Sequence, residues 1–426
     1  MRAIRTDKEF AAFLKLLRRR AAGTDNRVLN DVNRIIGGVR AKGDRALISY
    51  TKRLDGHSKI RIGQKEIDEA ASKADRALVR ALGAAARRIR RFHEKQVHGS
   101  WFLKEPGIKT GQLVRPLQRV GVYVPGGKAS YPSSVLMNVI PAQAAGVREI
   151  AVAVPTPGGN LNPAVMAALK LLGITEAYSI GGAQAVAAFA FGTETIKKVD
   201  KIVGPGNIYV ATAKRLVFGE VDIDMIAGPS EILVIADNSG NPEFAAADLL
   251  SQAEHDELAS SILVTDSQEF ADETIRQLRI QLNALQRKNI ASRSLKNYGA
   301  VIIARDLDHA AAIANDIAPE HLEIMVRSPQ RLVKKINNAG AMFIGRWSAE
   351  PLGDYAAGPN HVLPTGGTAR FSSPLGAYDF LKHTSYLEFT REGLEKLSGT
   401  VETIAAFEGL TAHLNTVAIR RKKGLV

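Results

Sequence analysis

Residues 120–127 have the sequence VGVYVPGG, a short apolar run that ends in a proline and two glycines. The same arrangement returns at residues 150–159 (IAVAVPTPGG), 177–182 (AYSIGG) and 201–206 (KIVGPG). Alanine-rich stretches of helical character separate these runs. A strand, a turn and a helix repeated in this way predict a parallel sheet with helices on its faces. We therefore expect a Rossmann-like α/β domain over residues 118–235.

A second block with the same pattern follows, and we assign it to residues 236–375. Its predicted strands are Ile232–Ala236, Ile262–Thr265, Ala300–Ala304, Leu322–Val326 and Met342–Gly345. Asn241 and Pro242 supply an N-cap and a first-turn proline for a helix that extends to about His255. The fold class is therefore expected to be α/β, with two Rossmann-like parallel-sheet domains.

The two ends of the chain have a different character. Residues 1–117 are predicted to be helical and to pack with residues 236–375. Within them, apolar residues recur at steps of three and four from Ile67 to Phe92, which predicts one long amphipathic helix. Residues 376–426 contain elements too short to form a core of their own. We expect this tail to dock on another domain or another subunit.

The composition excludes several classes of protein and of chemistry. The chain has no cysteine, so disulfides, thiolate metal sites, iron–sulfur clusters and thiohemiacetal catalysis are excluded. Any metal must be held by histidine, carboxylate or amide oxygen. No run of about 18 apolar residues occurs, and Met1–Arg20 lacks the apolar core of a signal peptide. We expect a cytoplasmic protein that neither spans nor binds a membrane.

The basic charge raises the hypothesis of nucleic-acid binding. Lys and Arg number 57 against 43 Asp and Glu, which gives a net charge of +14. The basic residues cluster in Arg18–Arg20, between Arg87 and Arg91, and in Arg420–Lys423. No zinc-finger spacing, aromatic strand motif or basic heptad region accompanies these clusters. Solvated helix faces and attraction of small anions are therefore favoured over a nucleic-acid partner.

The standard nucleotide-binding fingerprints are incomplete in this chain. Val122 stands where a phosphate loop needs its first glycine, and Ala129 follows Gly127-Lys128. Gly204-Pro205-Gly206 lies between a predicted strand and a predicted helix, but Tyr209 occupies the position of the third glycine. A dinucleotide would have to be held in a non-standard way, and tight turns alone would also explain these glycines.

The nine histidines fall into two groups. Five lie in polar surroundings without converging partners and are expected on the surface: His57, His93, His98, His309 and His383. The other four each lie near an amide or carboxyl group: Gln252 with His255, Asp354 with His361, Glu408 with His413, and Glu320 beside His321. Each of these histidines alone would also be explained as an ordinary polar residue. Together they offer metal ligands and an adjacent acid–base pair.

Eight motifs, in their order along the chain, resemble those of the histidinol dehydrogenase family from about residue 20 to residue 415. They are VGVYVPGG (120–127), IGGAQA (180–185), VGPGN (203–207), AGPSE (227–231), QAEH (252–255), APEHLE (318–323), GPNHVLPT (358–365) and EGLTAH (408–413). The resemblance implies an NAD-dependent, zinc-requiring enzyme that ends histidine biosynthesis. Such an enzyme oxidises L-histidinol through bound L-histidinaldehyde to L-histidine and is a homodimer.

The resemblance also implies a role for individual residues of this chain. The metal ligands would be Gln252, His255, Asp354 and His413, and the catalytic pair would be Glu320 and His321. Ser230 and Glu408 would contact the substrate together with the metal ligands and His321. Tyr123, Gln184 and Asn207 would contact NAD, on the side of residues 118–235. The tail, residues 376–426, would cross to the partner subunit and complete its site.

These residue types suit the implied chemistry. A neutral His321 can take the hydroxyl proton, because the unperturbed pKa of histidine lies near neutrality. Without a cysteine the aldehyde must react as its hydrate, and Glu320 could activate the water. Zinc would position the substrate more than polarise the reacting oxygen. Gln252 is an unusual zinc ligand, which leaves Mn²⁺ open as the metal.

Two alternatives remain at this stage. A relative on the same scaffold could oxidise another metal-bound alcohol, such as a sulfonated diol, although the acidic Glu408 would repel a sulfonate. A basic nucleic-acid-binding protein on an inactive scaffold is the second, and the complete metal and acid–base sets argue against it. A gel shift at physiological ionic strength would distinguish the second alternative.

Overall fold

A computed structural model of the chain describes residues 1–22, 26–126 and 131–422. Gly127 of the first motif and the last four residues of the tail lie outside these ranges. The strands are β1 (Arg2–Ile4), β2 (Arg61–Ile62), β3 (Trp101–Glu105), β4 (Ile108–Pro116), β5 (Arg119–Tyr123), β6 (Glu149–Ala153), β7 (Ala177–Tyr178), β8 (Lys201–Val203), β9 (Asp222–Ile223), β10 (Glu231–Ala236), β11 (Ser260–Thr265), β12 (Ala300–Ile303), β13 (His321–Met325), β14 (Ala341–Ile344) and β15 (Leu381–Phe389).

The helices connect these strands and cover the sheets. They are α1 (Asp7–Ala22), α2 (Asn26–Asp55), α3 (Gln64–Ala71), α4 (Arg76–Glu94), α5 (Pro132–Ala145), α6 (Pro163–Leu171), α7 (Gly182–Phe191), α8 (Ile208–Val217), α9 (Pro242–Ala253), α10 (Gln268–Leu282), α11 (Lys288–Tyr298), α12 (Leu307–Ile317), α13 (Pro329–Val333), α14 (Glu350–Tyr355), α15 (Arg391–Phe407) and α16 (Thr411–Lys422). Short 3₁₀ turns occur at Pro157–Gly159, Thr368–Arg370 and Ala377–Phe380.

The first sheet has the strand order β2-β7-β6-β5-β8-β9, and only β2 runs antiparallel to its neighbour. The chain moves outward from the central β5 through β6 to β7, and then returns to β8 and β9 on the other side of β5. Helices α3 to α6 pack on one face, and α2, α7 and α8 pack on the other. The change of direction between β5 and β8 creates a crevice at their carboxyl ends, where open α/β sheets bind ligands.

The second sheet repeats this topology in the order β1-β12-β11-β10-β13-β14, with every pair parallel. Helices α1, α12 and α13 pack on one face, and α9 to α11 pack on the other. The α/β class with two parallel sheets is thus confirmed, and all the predicted strands are present with small shifts at their ends. The expected boundary at residues 235 and 236 is wrong, because it falls inside β10, which belongs entirely to the second sheet.

The N-terminal region divides between the two sheets, so the prediction that residues 1–117 pack with residues 236–375 holds only for its beginning. Strand β1 pairs with β12, and Phe13 and Leu17 of α1 enter the core of the second sheet. Helices α2 to α4 instead bury their apolar faces on the first sheet. The predicted long helix is two helices, because the Asp75 carboxylate accepts hydrogen bonds from the amides of Ala77 and Leu78 and starts α4 anew.

A third, antiparallel sheet joins the end of the N-terminal region to the tail. Residues 101–116 form the hairpin β3–β4 instead of the predicted helical structure. Strand β15 pairs with the whole length of β4, from Leu381 opposite Pro116 to Phe389 opposite Ile108. Because of this pairing, the tail begins as a strand anchored in this chain and continues into α15 and α16.

Among the described residues, no helix is long and apolar enough to span a membrane.

A buried ion pair fixes the turn that follows β8. The side chains of Lys214 and Asp224 are only 2% and 1% exposed. The Lys214 ammonium donates to the Gly204 carbonyl at 3.0 Å, and the Asp224 carboxylate accepts from the Gly204 amide at 2.7 Å. Gly204 has φ of 112°, and a Cβ there would lie 2.1 Å from the Tyr123 carbonyl oxygen. The pair thus holds backbone that only glycine can form, three residues before Asn207.

We expect Lys214→Met to lower the free energy of unfolding by about 3–5 kcal/mol, because it leaves Asp224 buried without its partner. The double variant Lys214→Met/Asp224→Asn should recover part of this loss. Arg276→Met, which removes the cation of an exposed pair with Glu273, should cost far less than Lys214→Met, because solvent screens exposed ion pairs. Urea unfolding followed by circular dichroism measures all three, and equal losses for the two single variants would contradict the assignment.

Candidate active site and metal centre

The residues of the predicted catalytic motif meet at the amino ends of β10 and β13. His321 is the first residue of β13 and lies opposite Ile232 of β10. Glu320 directly precedes β13, and Ser230 directly precedes β10. Open parallel sheets usually bind ligands at the carboxyl ends of their strands. This site therefore uses the opposite edge of the second sheet.

His321 is buried, with 3% of its surface exposed. Its Nδ1 lies 2.9 Å from the Glu231 carbonyl oxygen, to which it donates. Its Nε2 has no hydrogen-bond partner among the described residues and lies 3.7 Å from a carboxylate oxygen of Glu350 and 3.5 Å from one of Asp354. Because Nδ1 is occupied by the backbone, Nε2 is the nitrogen available for proton transfer.

Glu320 is held by the same backbone segment. Its carboxylate accepts a hydrogen bond from the Glu231 amide at 2.9 Å. Glu231 therefore orients both members of the predicted pair through its own amide and carbonyl groups. The Glu231 side chain forms a buried ion pair with Arg20 of α1. This contact, which the sequence analysis missed, ties the N-terminal helix to the site.

Three neighbouring carboxylates determine the electrostatics around His321. Burial lowers the pKa of His321, but Glu320, Asp354 and Glu350 outweigh it and raise that pKa to about 10. Burial raises the pKa of Asp354, but the nearby imidazole of His321 outweighs it and brings the pKa to about 2. Burial is the main cause that raises the pKa of Glu320 to about 8. These neighbouring carboxylates favour the protonated imidazole.

Three of the four predicted metal ligands offer donor atoms here. The Gln252 amide nitrogen lies 3.1 Å from His321 Nδ1, and its Oε1 is buried without a partner in the described part of the chain. His255 Nδ1 lies 2.9 Å from the Ser251 carbonyl oxygen, which leaves Nε2 as the nitrogen that can bind a metal, as in most metal-binding histidines. Asp354 contributes a carboxylate. An orphaned amide oxygen, an imidazole nitrogen and a carboxylate fit a divalent cation.

His361 lies next to the predicted ligand Asp354. Its Nδ1 lies 3.1 Å from the Asp354 carbonyl oxygen. Burial lowers its pKa, and the charges that act on it include those of Asp354, His321 and His255. The Asp354–His361 loop also contacts the first sheet, because the Asn360 amide donates to the Met137 carbonyl of α5 at 2.6 Å. The site therefore lies where the two sheet units meet.

Glu350 is a site residue that the sequence analysis missed. With His321 and Asp354 it forms a group whose donor atoms all lie within 4.8 Å of one another. Burial and the neighbouring Asp354 raise the pKa of Glu350 to about 8. Its amide donates to Glu323 of β13, which in turn lies against Asp248 of α9. The spacing of Glu350 and Asp354, one helical turn apart, was the available signal.

The two tail residues do not reach this cluster within one chain. Glu408 lies at the end of α15, and His413 lies in the first turn of α16. In the part of the chain that the structure describes, neither side chain bonds to the residues at the amino ends of β10 and β13. Phe407, next to Glu408, is 91% exposed. The structure of a single chain thus separates Glu408 and His413 from the other predicted ligands.

The three predicted NAD contacts lie at the carboxyl edge of the first sheet. The Tyr123 hydroxyl, at the end of β5, accepts from the Gly182 amide at 3.1 Å. Gln184 is in the first turn of α7, and its Oε1 is buried without a partner among the described residues. Asn207 caps α8, and its side chain accepts from the amides of Tyr209 and Val210. Tyr123 and Asn207 border the crevice between β5 and β8, whereas Gln184 follows β7, on the far side of β6.

Two histidines that were expected on the surface, His57 and His93, are partly or fully buried. His93 is fully buried, and its Nδ1 lies 2.8 Å from the Gln96 side-chain oxygen. His57 is half-buried, and its Nε2 lies 3.1 Å from the Thr156 hydroxyl and 3.3 Å from that of Ser179. His98 and His383 do lie near the surface and stack on each other. The polar neighbours of His57 and His93 in sequence concealed partners that are distant along the chain.

Comparisons with known proteins agree with this architecture. The family model described as histidinol dehydrogenase matches residues 18–421. A histidinol dehydrogenase of Geobacter metallireducens is 53% identical over 98% of this chain and 96% of its own length. One of Aquifex aeolicus is 52% identical over 96% of each chain. The crystal structure of histidinol dehydrogenase from Elizabethkingia anophelis superposes with a TM-score of 0.94 at 38% identity and covers 99% of this chain and 98% of that one. The chain belongs to the histidinol dehydrogenase family and is an oxidoreductase.

Proposed function

We propose that this protein oxidises L-histidinol to L-histidine in two steps and retains the intermediate L-histidinaldehyde. The balanced reaction consumes L-histidinol, two NAD⁺ and water, and yields L-histidine, two NADH and three protons. The observation that carries the proposal is the buried Glu320–His321 pair with the Gln252 amide and the Asp354 carboxylate beside it, in a chain of this family without cysteine.

In the first step, His321 Nε2 takes the proton of the substrate hydroxyl. The Glu231 carbonyl fixes the orientation of the ring, so that Nε2 points to the reacting group. A base must be neutral, whereas the surrounding carboxylates favour the imidazolium. Their charge must therefore be taken up by another cation, and Asp354 is the carboxylate placed to bind it.

In the second step, Glu320 takes a proton from the water that adds to the aldehyde. The Glu231 amide holds its carboxylate against the backbone. Because burial raises the pKa of Glu320 to about 8, the fraction of Glu320 that can act as a base grows as the pH rises towards that value. His321, after it has released its first proton to solvent, then takes the hydroxyl proton of the hydrate.

The residues present fit both implied cofactors. When bound, NAD supplies the hydride acceptor, and Tyr123, Gln184 and Asn207 would hold it at the carboxyl edge of the first sheet. A zinc ion, or Mn²⁺, would be held by Gln252, His255 and Asp354 with His413, and would position the imidazole and amine of the substrate. Ser230 and Glu408 would complete the substrate contacts, Glu408 by accepting a hydrogen bond from the substrate imidazole.

We propose further that the active protein is a homodimer in which each tail completes the partner's site. Glu408 and His413 are separated from the other ligands within one chain. Apolar side chains beside them, Ile404, Phe407 and Leu410, are exposed and would be covered by a second subunit. A tail that crosses to the partner would satisfy both requirements.

The two steps should respond differently to substitution of the catalytic pair. We expect wild-type protein to form two NADH per histidinol, with little aldehyde trapped by semicarbazide. Glu320→Gln should slow oxidation of added histidinaldehyde by about 10²–10⁴-fold and affect oxidation of histidinol to the aldehyde much less. His321→Asn should slow both steps. In wild-type protein the aldehyde step should accelerate as the pH rises towards 8, and Glu320→Gln should abolish this rise.

Stopped-flow measurement of NADH from each substrate separates these effects. One NADH per histidinol with release of free aldehyde would contradict the proposed reaction. Equal losses of both steps in Glu320→Gln would contradict the role of Glu320 in activating water.

Co-expression of two inactive chains tests whether the site is shared. His413→Ala and the double variant Glu320→Gln/His321→Asn should each be nearly inactive alone. In mixed dimers, a crossing tail leaves one site without any lesion, so the mixture should regain roughly a quarter of wild-type activity. His413→Ala mixed with Glu408→Gln is the matched control, because every site then keeps a damaged tail. No recovery in the first mixture, with mixed dimers verified by mass spectrometry, would refute the shared site.

A further inference from the structure

A second polar cluster lies at the carboxyl edge of the first sheet, away from His321. Its members come from the end of α2, from the loop after β6 and from the loop after β7. The Ser179 amide donates to the Ile60 carbonyl at 2.6 Å, which fixes the segment after α2 against the end of β7. A Cβ on Gly56 would lie 4.0 Å from Gly158, and a Cβ on Gly159 would lie 3.9 Å from His57, so the α2 and β6 loops are in direct contact.

This cluster contains polar atoms that no group in the described part of the chain satisfies. Asp55 Oδ2, His57 Nδ1 and Gln184 Oε1 are all buried without a hydrogen-bond partner there. Burial raises the pKa of Asp55, and His57 is the neighbouring charge that opposes this rise. The Asp55 charge also acts on the Tyr123 hydroxyl. Buried polar atoms without partners are costly, so their concentration at one sheet edge indicates a polar ligand.

A hydrolytic triad does not explain this cluster, although Asp55, His57 and Ser179 suggest one. Neither Asp55 Oδ2 nor His57 Nδ1 has a hydrogen bond to a described residue, so the carboxylate does not orient the imidazole as a triad requires. The Ser179 hydroxyl is bonded to that of Thr156, and both residues are buried. The serine therefore has no access to a substrate.

The position of Asp55 corresponds to that of the ribose-binding acidic residue in Rossmann-like sheets. In such sheets an acidic side chain near the end of the second strand accepts hydrogen bonds from the ribose hydroxyls of NAD and repels the 2′-phosphate of NADP. Here the second strand is β6, and the segment after it, Pro155–Gly159, contains no acid. Asp55 reaches the same edge from α2 instead. The cation next to it in the loop, Lys59, is paired with Glu66 at 2.5 Å.

We infer that Asp55 accepts hydrogen bonds from the vicinal hydroxyls of the adenosine ribose of NAD and excludes NADP. The inference rests on the proposed function, because it assumes that the dinucleotide lies along Tyr123 and Gln184. His57 positions the ribose from the side: Thr156 and Ser179 hold its Nε2, and its Nδ1 faces the ligand. Asp55 is thus the residue that determines dinucleotide specificity.

Dissociation constants for NADH and NADPH, measured by nucleotide fluorescence on the full-length protein, test this inference. Wild-type protein should bind NADPH at least about tenfold more weakly than NADH. Asp55→Asn should weaken NADH binding about tenfold and bring the NADPH/NADH ratio close to one. Asp68→Asn is the matched control: it makes the same charge change on α3, where Asp68 pairs with Lys170, and should leave both constants unchanged. Equal melting temperatures of the variants show that the fold is intact.

Two outcomes for nucleotide binding would overturn the inference. An unchanged ratio in Asp55→Asn, or wild-type protein that binds NADPH as tightly as NADH, removes Asp55 from the ribose site. If such a protein still forms two NADH per histidinol, the proposed function stands and only the inference fails. If wild-type protein binds neither nucleotide and forms no NADH from histidinol, the proposed function fails with it.

Discussion

The burial of several carboxyl groups around one imidazole is the constraint on which the site depends. Glu320, Glu350 and Asp354 all lie near His321, and Glu323 lies behind them with Asp248. Buried charges are tolerated only when they are paired, and one imidazolium cannot balance this set. Two features of the chain reduce this excess of negative charge. Glu320, Glu323 and Glu350 have raised pKa values, which favour their neutral forms. Gln252 and His255 offer donor atoms for a cation.

The same constraint explains why distant parts of the chain converge on two strand ends. Glu231 holds Glu320 and His321 through its backbone, and its own carboxylate needs Arg20 from the N-terminal helix. Glu323 anchors the start of the short helix α14, because its carboxylate accepts a hydrogen bond from the Glu350 amide. Each element is thus retained by a polar group that would otherwise be buried without a partner. The first sheet follows the usual rule and presents its ligand crevice at the carboxyl ends of its strands.

The sequence predicted most of the fold because apolar runs that end in Gly and Pro mark buried parallel strands. The predictions failed where a single capping side chain or a partner strand distant in sequence determined the structure. Asp75 interrupts a regular apolar pattern by capping α4. The hairpin at residues 101–116 is stabilised by pairing with β15, more than two hundred residues away, and no local pattern carries that information.

The candidate site, like the fold, could be predicted from the sequence only in part. The motif resemblance nominated Glu320, His321, Gln252, His255 and Asp354. In the structure Glu320, Gln252 and Asp354 lie near His321, and His255 lies at the exposed end of α9. The resemblance did not nominate Glu350, Glu231 or Arg20, because their roles arise from burial and backbone contacts rather than from a motif. The carboxylates that raise the pKa of His321 come from separate elements, so no local pattern in the sequence reveals their effect.

The central claim is that Gln252, His255 and Asp354, near the amino ends of β10 and β13, hold a divalent cation that the reaction requires. Elemental analysis combined with turnover tests it most directly, on wild-type protein and on Asp354→Asn, with Asp68→Asn as a variant outside the site. The account predicts that chelator-treated protein is inactive, that Zn²⁺ or Mn²⁺ restores turnover with about one ion per chain, and that Asp354→Asn neither retains the ion nor recovers. Full activity in protein shown to be metal-free would contradict it.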